Sequence, residues 1–285
     1  MFLQVATKHT WLMNLHRIST LRRLPRAFCL IFYLLASLHC FGEPTPKAAS
    51  AFNSYVSAVE SRLDLQHLSR SAFLAPVSSS LQRDLRLREG EVIIEQLTPS
   101  PNTELSGALL HHWRGTAFVP GAKAADLETL LKDFNDYPQH FSPQVLQAKV
   151  LTQQDDRLRA WMRVRQKHVL TVVLDITYDV AFFRLDERDG YSASRSTKIQ
   201  EIDAPGTERE RALNAQDEHG FLWRLNNYWT YQERDGGLYI QIESDSLSRS
   251  IPAGLGWAIR PFVESIPRES LEFTLHSACN AKSSK

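Results

Sequence analysis

The sequence predicts an α+β chain, and three observations predict it. Leu127, Leu130, Leu131 and Phe134 recur at i, i+3, i+4 and i+7, with Asp126, Glu128, Lys132 and Asp133 between them, the pattern of a helix with one buried face. From Arg157 onward apolar and polar residues alternate through several segments, as antiparallel strands with one face in a core do. The chain then closes on a second amphipathic segment, with Leu271, Thr274, Leu275 and Ala278 on one face. A length of 285 residues with 43% hydrophobic side chains suffices for one large domain, or one domain with an appendage.

Taken in order, the N-terminus reads as a targeting segment. Lys8, Arg17, Arg22, Arg23 and Arg26 precede an uncharged run, Ala27 to Phe41, and the first acidic residue is Glu43. The run is about 15 residues, short of the ~20 that cross a bilayer as a helix. The expectation is therefore a cleaved secretory signal over residues 1–42 and a periplasmic or secreted protein. An N-terminal membrane anchor is the alternative, and Met13 is a second candidate start. Cys29 and Cys40 would leave with the signal. Cys279 would then stand alone, with no intramolecular disulfide and no thiol-ligated zinc site.

Residues 43–104 read as an N-terminal helical extension: a helix over Ala48 to Gln66 with Phe52, Tyr55, Val56, Val59 and Leu63 on one stripe, then a strand over Glu91 to Leu97 and a turn at 98–103. A strand through His111 to Val119 leads to the helix first described. Pro138 biases its preceding residue away from helical angles, so that helix should end near Asn135 to Tyr137. Arg157 to Lys167 puts Arg157, Arg159, Arg163, Arg165 and Lys167 on one face, and the next strand puts Asp175 and Asp179 on one face, so the two rows should pair across a hairpin turning near 168–171. Asp189-Gly190 reads as the following turn and Asp235-Gly236-Gly237 as a hairpin turn before Leu238 to Ser248. The closing region reads as an apolar segment, Gly254 to Glu264, broken at Pro261, then a helix capped by Ser265 with Pro267 in its first turn.

The run Asp133-Phe134-x-x-Tyr137-Pro138-x-x-Phe141-x-Pro143-x-Val145, followed by this order of strands and a closing helix, resembles the helix-grip superfamily, which includes START lipid-transfer, polyketide cyclase-like and coenzyme Q-binding-like proteins. The resemblance spans residues 105–281. It implies a curved antiparallel sheet wrapped around the C-terminal helix, with a ligand cavity between them.

Charge and motifs narrow the function. With 33 basic and 32 acidic residues the net charge is +1, so no global basic excess points to nucleic acid. No G-x-S-x-G, H-E-x-x-H, P-loop or dinucleotide fingerprint occurs, so no motif asks for a cofactor, and the adjacent His111 and His112 would point to opposite faces of a strand rather than share a metal. Phe221, Trp223, Leu225, Asn227, Trp229 and Tyr231 alternate and would form one aromatic face, either plain core or a cavity wall. Arg195 would join that face if its strand alternates without a bulge, and it would then need Glu233 or a ligand acid as partner. Trp257, in a Gly/Pro-hinged segment, would lie in a lid or in the core.

The expected ligand-binding set is thus Arg195, Trp223, Asn227, Trp229, Tyr231 and Trp257, holding a hydrophobic lipid, isoprenoid or polyketide-like molecule. An enzyme of cyclase or dehydratase type, using Arg195, Glu233 or His219 to move protons, is the alternative. The basic row of Arg157 to Lys167 reads as a solvated face, with transient contact to anionic lipid headgroups as the other reading.

Overall fold

The computed structural model describes residues 42–76, 81–98, 103–167, 171–251 and 256–281. Residues 1–41 of the expected signal segment, residues 99–102 of the expected turn at 98–103, and the turn at 168–170 with His168 lie outside the described residues. Helix α1 (Pro46–His67) opens the described chain, with Pro46 in its first turn and the Thr45 side chain accepting from the Ala48 N–H at 3.1 Å. Helix α2 (Leu81–Arg88) follows, then strands β1 (Ile93–Gln96), β2 (Thr103–Glu104) and β3 (Ala108–Pro120).

Helix α3 (Ala124–Lys132) stops earlier than the proline argument placed it, and a 3₁₀ turn at Phe134–Asp136 leads into the one-turn helix α4 (Tyr137–His140). Tyr137 takes helical angles (φ −53°, ψ −35°) despite preceding Pro138. Its ring stacks on Phe134 at 4.2 Å and packs against Phe141 at 4.8 Å, and its hydroxyl donates to the Leu131 carbonyl, contacts that outweigh the local bias.

Strands β4 (Val145–Gln154), β5 (Arg157–Lys167), β6 (Thr171–Arg184), β7 (Asp189–Asp203), β8 (Arg211–Ala212), β9 (Arg224–Arg234) and β10 (Gly237–Arg249) complete an antiparallel sheet ordered β1-β3-β10-β9-β7-β6-β5-β4, with β2 beside β3 and β8 beside β7. The basic and acidic rows pair as the alternation required. Arg159 stands opposite Asp179 and bonds it at 2.9 Å, and Arg163 bonds Asp175 at 2.7 Å. Asp235 and Gly236 both have positive φ, 56° and 78°, which matches the twist of the tight β9–β10 hairpin. Asp189-Gly190, by contrast, is already strand, and the turn falls just before it, where Leu185 N–H donates to the Asp189 carbonyl. Gly190 is small for another reason: a Cβ there would lie 2.4 Å from the Tyr231 hydroxyl.

Helix α5 (Gly256–Asn280) is one continuous element through Pro261 and Pro267, where the sequence suggested a break. Each proline removes one backbone hydrogen bond, and burial of Leu271, Leu275 and Ala278 against the sheet holds the helix together. A Cβ at Gly115 would lie 2.3 Å from Leu275 Cδ1 and 2.9 Å from Ile94 Cδ1, so Gly115 is the notch in which α5 seats on β3. On the far side of the curl Gln166 of β5 donates to Ser270 of α5. A curved antiparallel sheet gripping its C-terminal helix is the α+β helix-grip arrangement. The opposite face of the sheet is covered by α1 through Ala48, Phe52, Val56, Val59 and Leu63.

Candidate functional site

The concave face of the sheet has two halves. In one, α3 and the turns after it press Leu127, Leu131, Phe134 and Tyr137 onto Tyr178, Phe182, Trp229, Tyr231 and Ile240, all buried. Toward the other end, where β9 and α5 begin, the inward residues Trp113, Met162, Val164, Val172, Ile199 and Leu225 pack on that core but are only half-buried. A half-buried apolar wall inside a curved sheet is the kind of surface that takes a small apolar molecule.

A polar row crosses this wall, next to the inward His111 and Ser246. Trp113, Ser244, Asn227 and Ser194 stand opposite one another across β3, β10, β9 and β7. The Trp113 indole Nε1 is buried without a hydrogen-bond partner. Neither the Asn227 carboxamide nor the Ser244 hydroxyl has a side-chain partner among the described residues.

Asn227, Trp229 and Tyr231 therefore share the inward face, although Tyr231 lies in the sealed half at 1% exposure. Two residues of the expected set lie elsewhere. Trp223 precedes β9, in a bend where strand alternation does not hold, and it packs with Phe52, Val56 and Leu247 under α1. Arg195 emerges on the outer face and pairs with Glu60 of α1, to which the Tyr228 hydroxyl also donates at 2.9 Å. The cause is a register shift in β7: Lys198 faces Thr177 but Ser196 faces Tyr178, so Thr197 is an extra residue that reverses the parity. Trp257 belongs to α5, and its side chain lies outside the described residues.

The proton-transfer candidates do not converge. Arg195 is on the outer face. Glu233 is bound at the closed end by Lys123 at 2.7 Å and the Ala124 N–H at 3.2 Å. His219 is tied through Nδ1 to Glu201 at 2.8 Å, a hydrogen bond that raises its pKa. Burial pushes the Glu201 carboxyl up, but hydrogen bonds from the His219 ring and the backbone N–H groups of His219, Gly220 and Phe221 win and lower it, making Glu201 the anchor of that loop. His111 and His112 do point apart, toward Ser248 inside and toward Tyr55 and Glu243 outside. A surface depression of about 300 Å³ near α3 is lined by Glu128, Lys132, Asp156, Phe182, Phe183 and Arg184, whose charges already pair with one another.

Sequence reasoning missed Trp113. Its face of β3 reads His111, Trp113, Gly115, Ala117, too small and mixed to announce a wall, and only the close seat of α5 explains the small residues.

Neither a protein-family model nor a curated protein matches the chain. Among solved structures it is similar to the ZhuI aromatase/cyclase from a Streptomyces species, at 13% identity and TM-score 0.43, covering 60% of this chain and 93% of that one. It is also similar to a START superfamily protein from Mycobacterium smegmatis, at 14% identity and TM-score 0.40, covering 60% of this chain and 96% of that one. A STAR-related lipid transfer protein from Xanthomonas axonopodis aligns at 18% identity and TM-score 0.38, over 62% of this chain and 97% of that one.

Proposed function

We propose that the chain binds a hydrophobic small molecule or lipid on the concave face between the sheet and α5, and carries or sequesters it. One observation carries the reading: the inward wall of Trp113, Met162, Val164, Ile199 and Leu225 is apolar yet only half-buried, while Tyr178, Phe182, Trp229, Tyr231 and Ile240 of the same face are buried. Scattered proton-transfer candidates favour binding over catalysis, because acid/base chemistry needs its groups within hydrogen-bond reach of one substrate. The charged and apolar pattern of residues 1–42 supports export of the carrier. Native mass spectrometry of the protein purified from its own host, followed by lipid extraction, tests both points. A reproducible co-purifying apolar molecule and a mature N-terminus near Glu43 are expected. Consistently empty protein removes the carrier reading, and an intact N-terminus removes export.

A further inference from the structure

The electrical character of the inward wall says what kind of molecule fits. Arg114, Lys149, Arg159, Arg163 and Arg195 all sit at outer-face positions of their strands. Among the described strand residues the cation at an inward position is Arg184, which is at the closed end and paired with Glu128 of α3. The inward acids are equally committed, Glu233 to Lys123 and Glu201 to the loop at 219–221.

What remains at the half-buried end is the row Trp113, Ser244, Asn227 and Ser194, with the buried His111 beside it opposite Ser246 and within reach of the Ser248 hydroxyl. An indole nitrogen can only donate, so the partner that the Trp113 Nε1–H lacks is an acceptor oxygen. Asn227, across Ser244 in the same row, can both donate and accept, which suits a carbonyl or a hydroxyl. An ionised acidic head would leave water for strands that, among the described residues, offer it dipoles and no free lysine or arginine, a costly exchange.

We infer that the ligand is an uncharged apolar molecule bearing a carbonyl or hydroxyl oxygen, and that Trp113 Nε1–H and the Asn227 carboxamide hold that oxygen. The inference rests on the binding reading above and names its ligand class. It reverses the expectation from an inward Arg195, which would have favoured an acidic head.

The test uses the full protein loaded with the neutral dye N-phenyl-1-naphthylamine. The dye is displaced at pH 8 by four chain-matched competitors: methyl oleate, oleyl alcohol, oleate and octadecene. Methyl oleate or oleyl alcohol should compete at concentrations at least about tenfold lower than oleate and octadecene, the worth of one buried hydrogen bond. Trp113→Phe should erase that preference while octadecene competes as before. Asn227→Leu repeats the test at a less buried position, and circular dichroism checks that both variants are folded. Oleate competing as well as the neutral pair, or a preference that survives both substitutions, overturns the inference and leaves the binding reading standing. No dye binding, or no displacement by any competitor, removes the binding reading and this inference together.

Discussion

The two faces of this sheet bury polar groups in opposite ways. On the outer face, under α1, charges are brought together and matched. Glu243 pairs with Arg62 and lies 3.2 Å from His112, whose other nitrogen meets the Tyr55 hydroxyl at 2.8 Å. Arg195 and Tyr228 share Glu60, His67 meets Thr230 at 3.0 Å, and Gln241 bonds Thr116 and both backbone polar groups of Ala75. On the concave face the strand charges are absent or committed at the rim, and the polar atoms are neutral and partly unmatched. A helix fixed in place can supply partners for charged groups, so most outer-face charges are paired, although His67 Nδ1, Trp223 Nε1 and one Asp245 carboxylate oxygen stay without a partner. On the inner face the unpartnered donor is the Trp113 indole N–H, the group that the proposed ligand would meet.

The sharpest way to separate the faces is to remove one tryptophan from the outer side. Trp223→Ala should cost about 3–5 kcal/mol of stability, because its ring fills the contact between α1 and β10. Denaturant titration measures the loss. Affinity for an apolar ligand in the fraction that stays folded should not change, and a loss of affinity would join the two faces functionally.

A smaller effect comes from Asp245, fully buried beneath α1 with one carboxylate oxygen unpartnered and the other accepting from Asn226 at 3.0 Å. Burial, with the neighbouring Glu60 and Glu243, pushes its pKa up to about 7 against the pull of Asn226 and Arg195. The folded state therefore holds a proton that the unfolded chain gives up near its ordinary value of 3.8. The stability this contributes is fully present below that value and is lost as pH rises through about 7, a swing on the order of 2–4 kcal/mol. His67, also under α1, is lowered to about 4 by burial and works in the other direction, losing stability as pH falls from its ordinary value toward 4. The difference between the wild type and Asp245→Asn isolates the acid. That difference should change steadily between pH 4 and pH 8 in urea melts, and a flat difference would show that Asp245 ionises normally.

Arg195→Ala should cost only about 0–1 kcal/mol, since its guanidinium is half-exposed. It should also leave discrimination between oleate and methyl oleate unchanged; lost oleate binding would restore the inward arginine. Arg159→Ala removes an exposed cross-strand pair and should cost less than about 0.5 kcal/mol, vanishing in high salt.

Much of this fold was legible because period-2 alternation and a 3.6-residue stripe respond to burial alone. Both survive in Arg157–Lys167, Thr171–Arg184 and Leu271–Ala278. The site was less legible, because parity is counted along an unbroken strand. Thr197 adds one residue without a glycine to mark it, and Trp223 stands just before the strand whose phase it was assigned. β10 was ambiguous for a different reason. α1 covers its outer side, so Gln241, Glu243 and Asp245 are as buried as Ile240 and Ile242, and the usual equation of polar with solvent fails.

The extra residue in β7 lets a single strand serve two clients. Its first part presents Arg195 to α1, and its last part presents Ile199 to the wall and Glu201 to the loop at 219–221. Deleting one residue there, with the β9 pairing kept, would turn Ile199 and Glu201 outward together and release that loop. Point changes around Thr197 leave the chain count intact and so preserve both assignments. Lineages of this protein should accumulate substitutions at this place far more readily than insertions or deletions, a pattern of indel intolerance located in a surface-exposed strand segment rather than in the core.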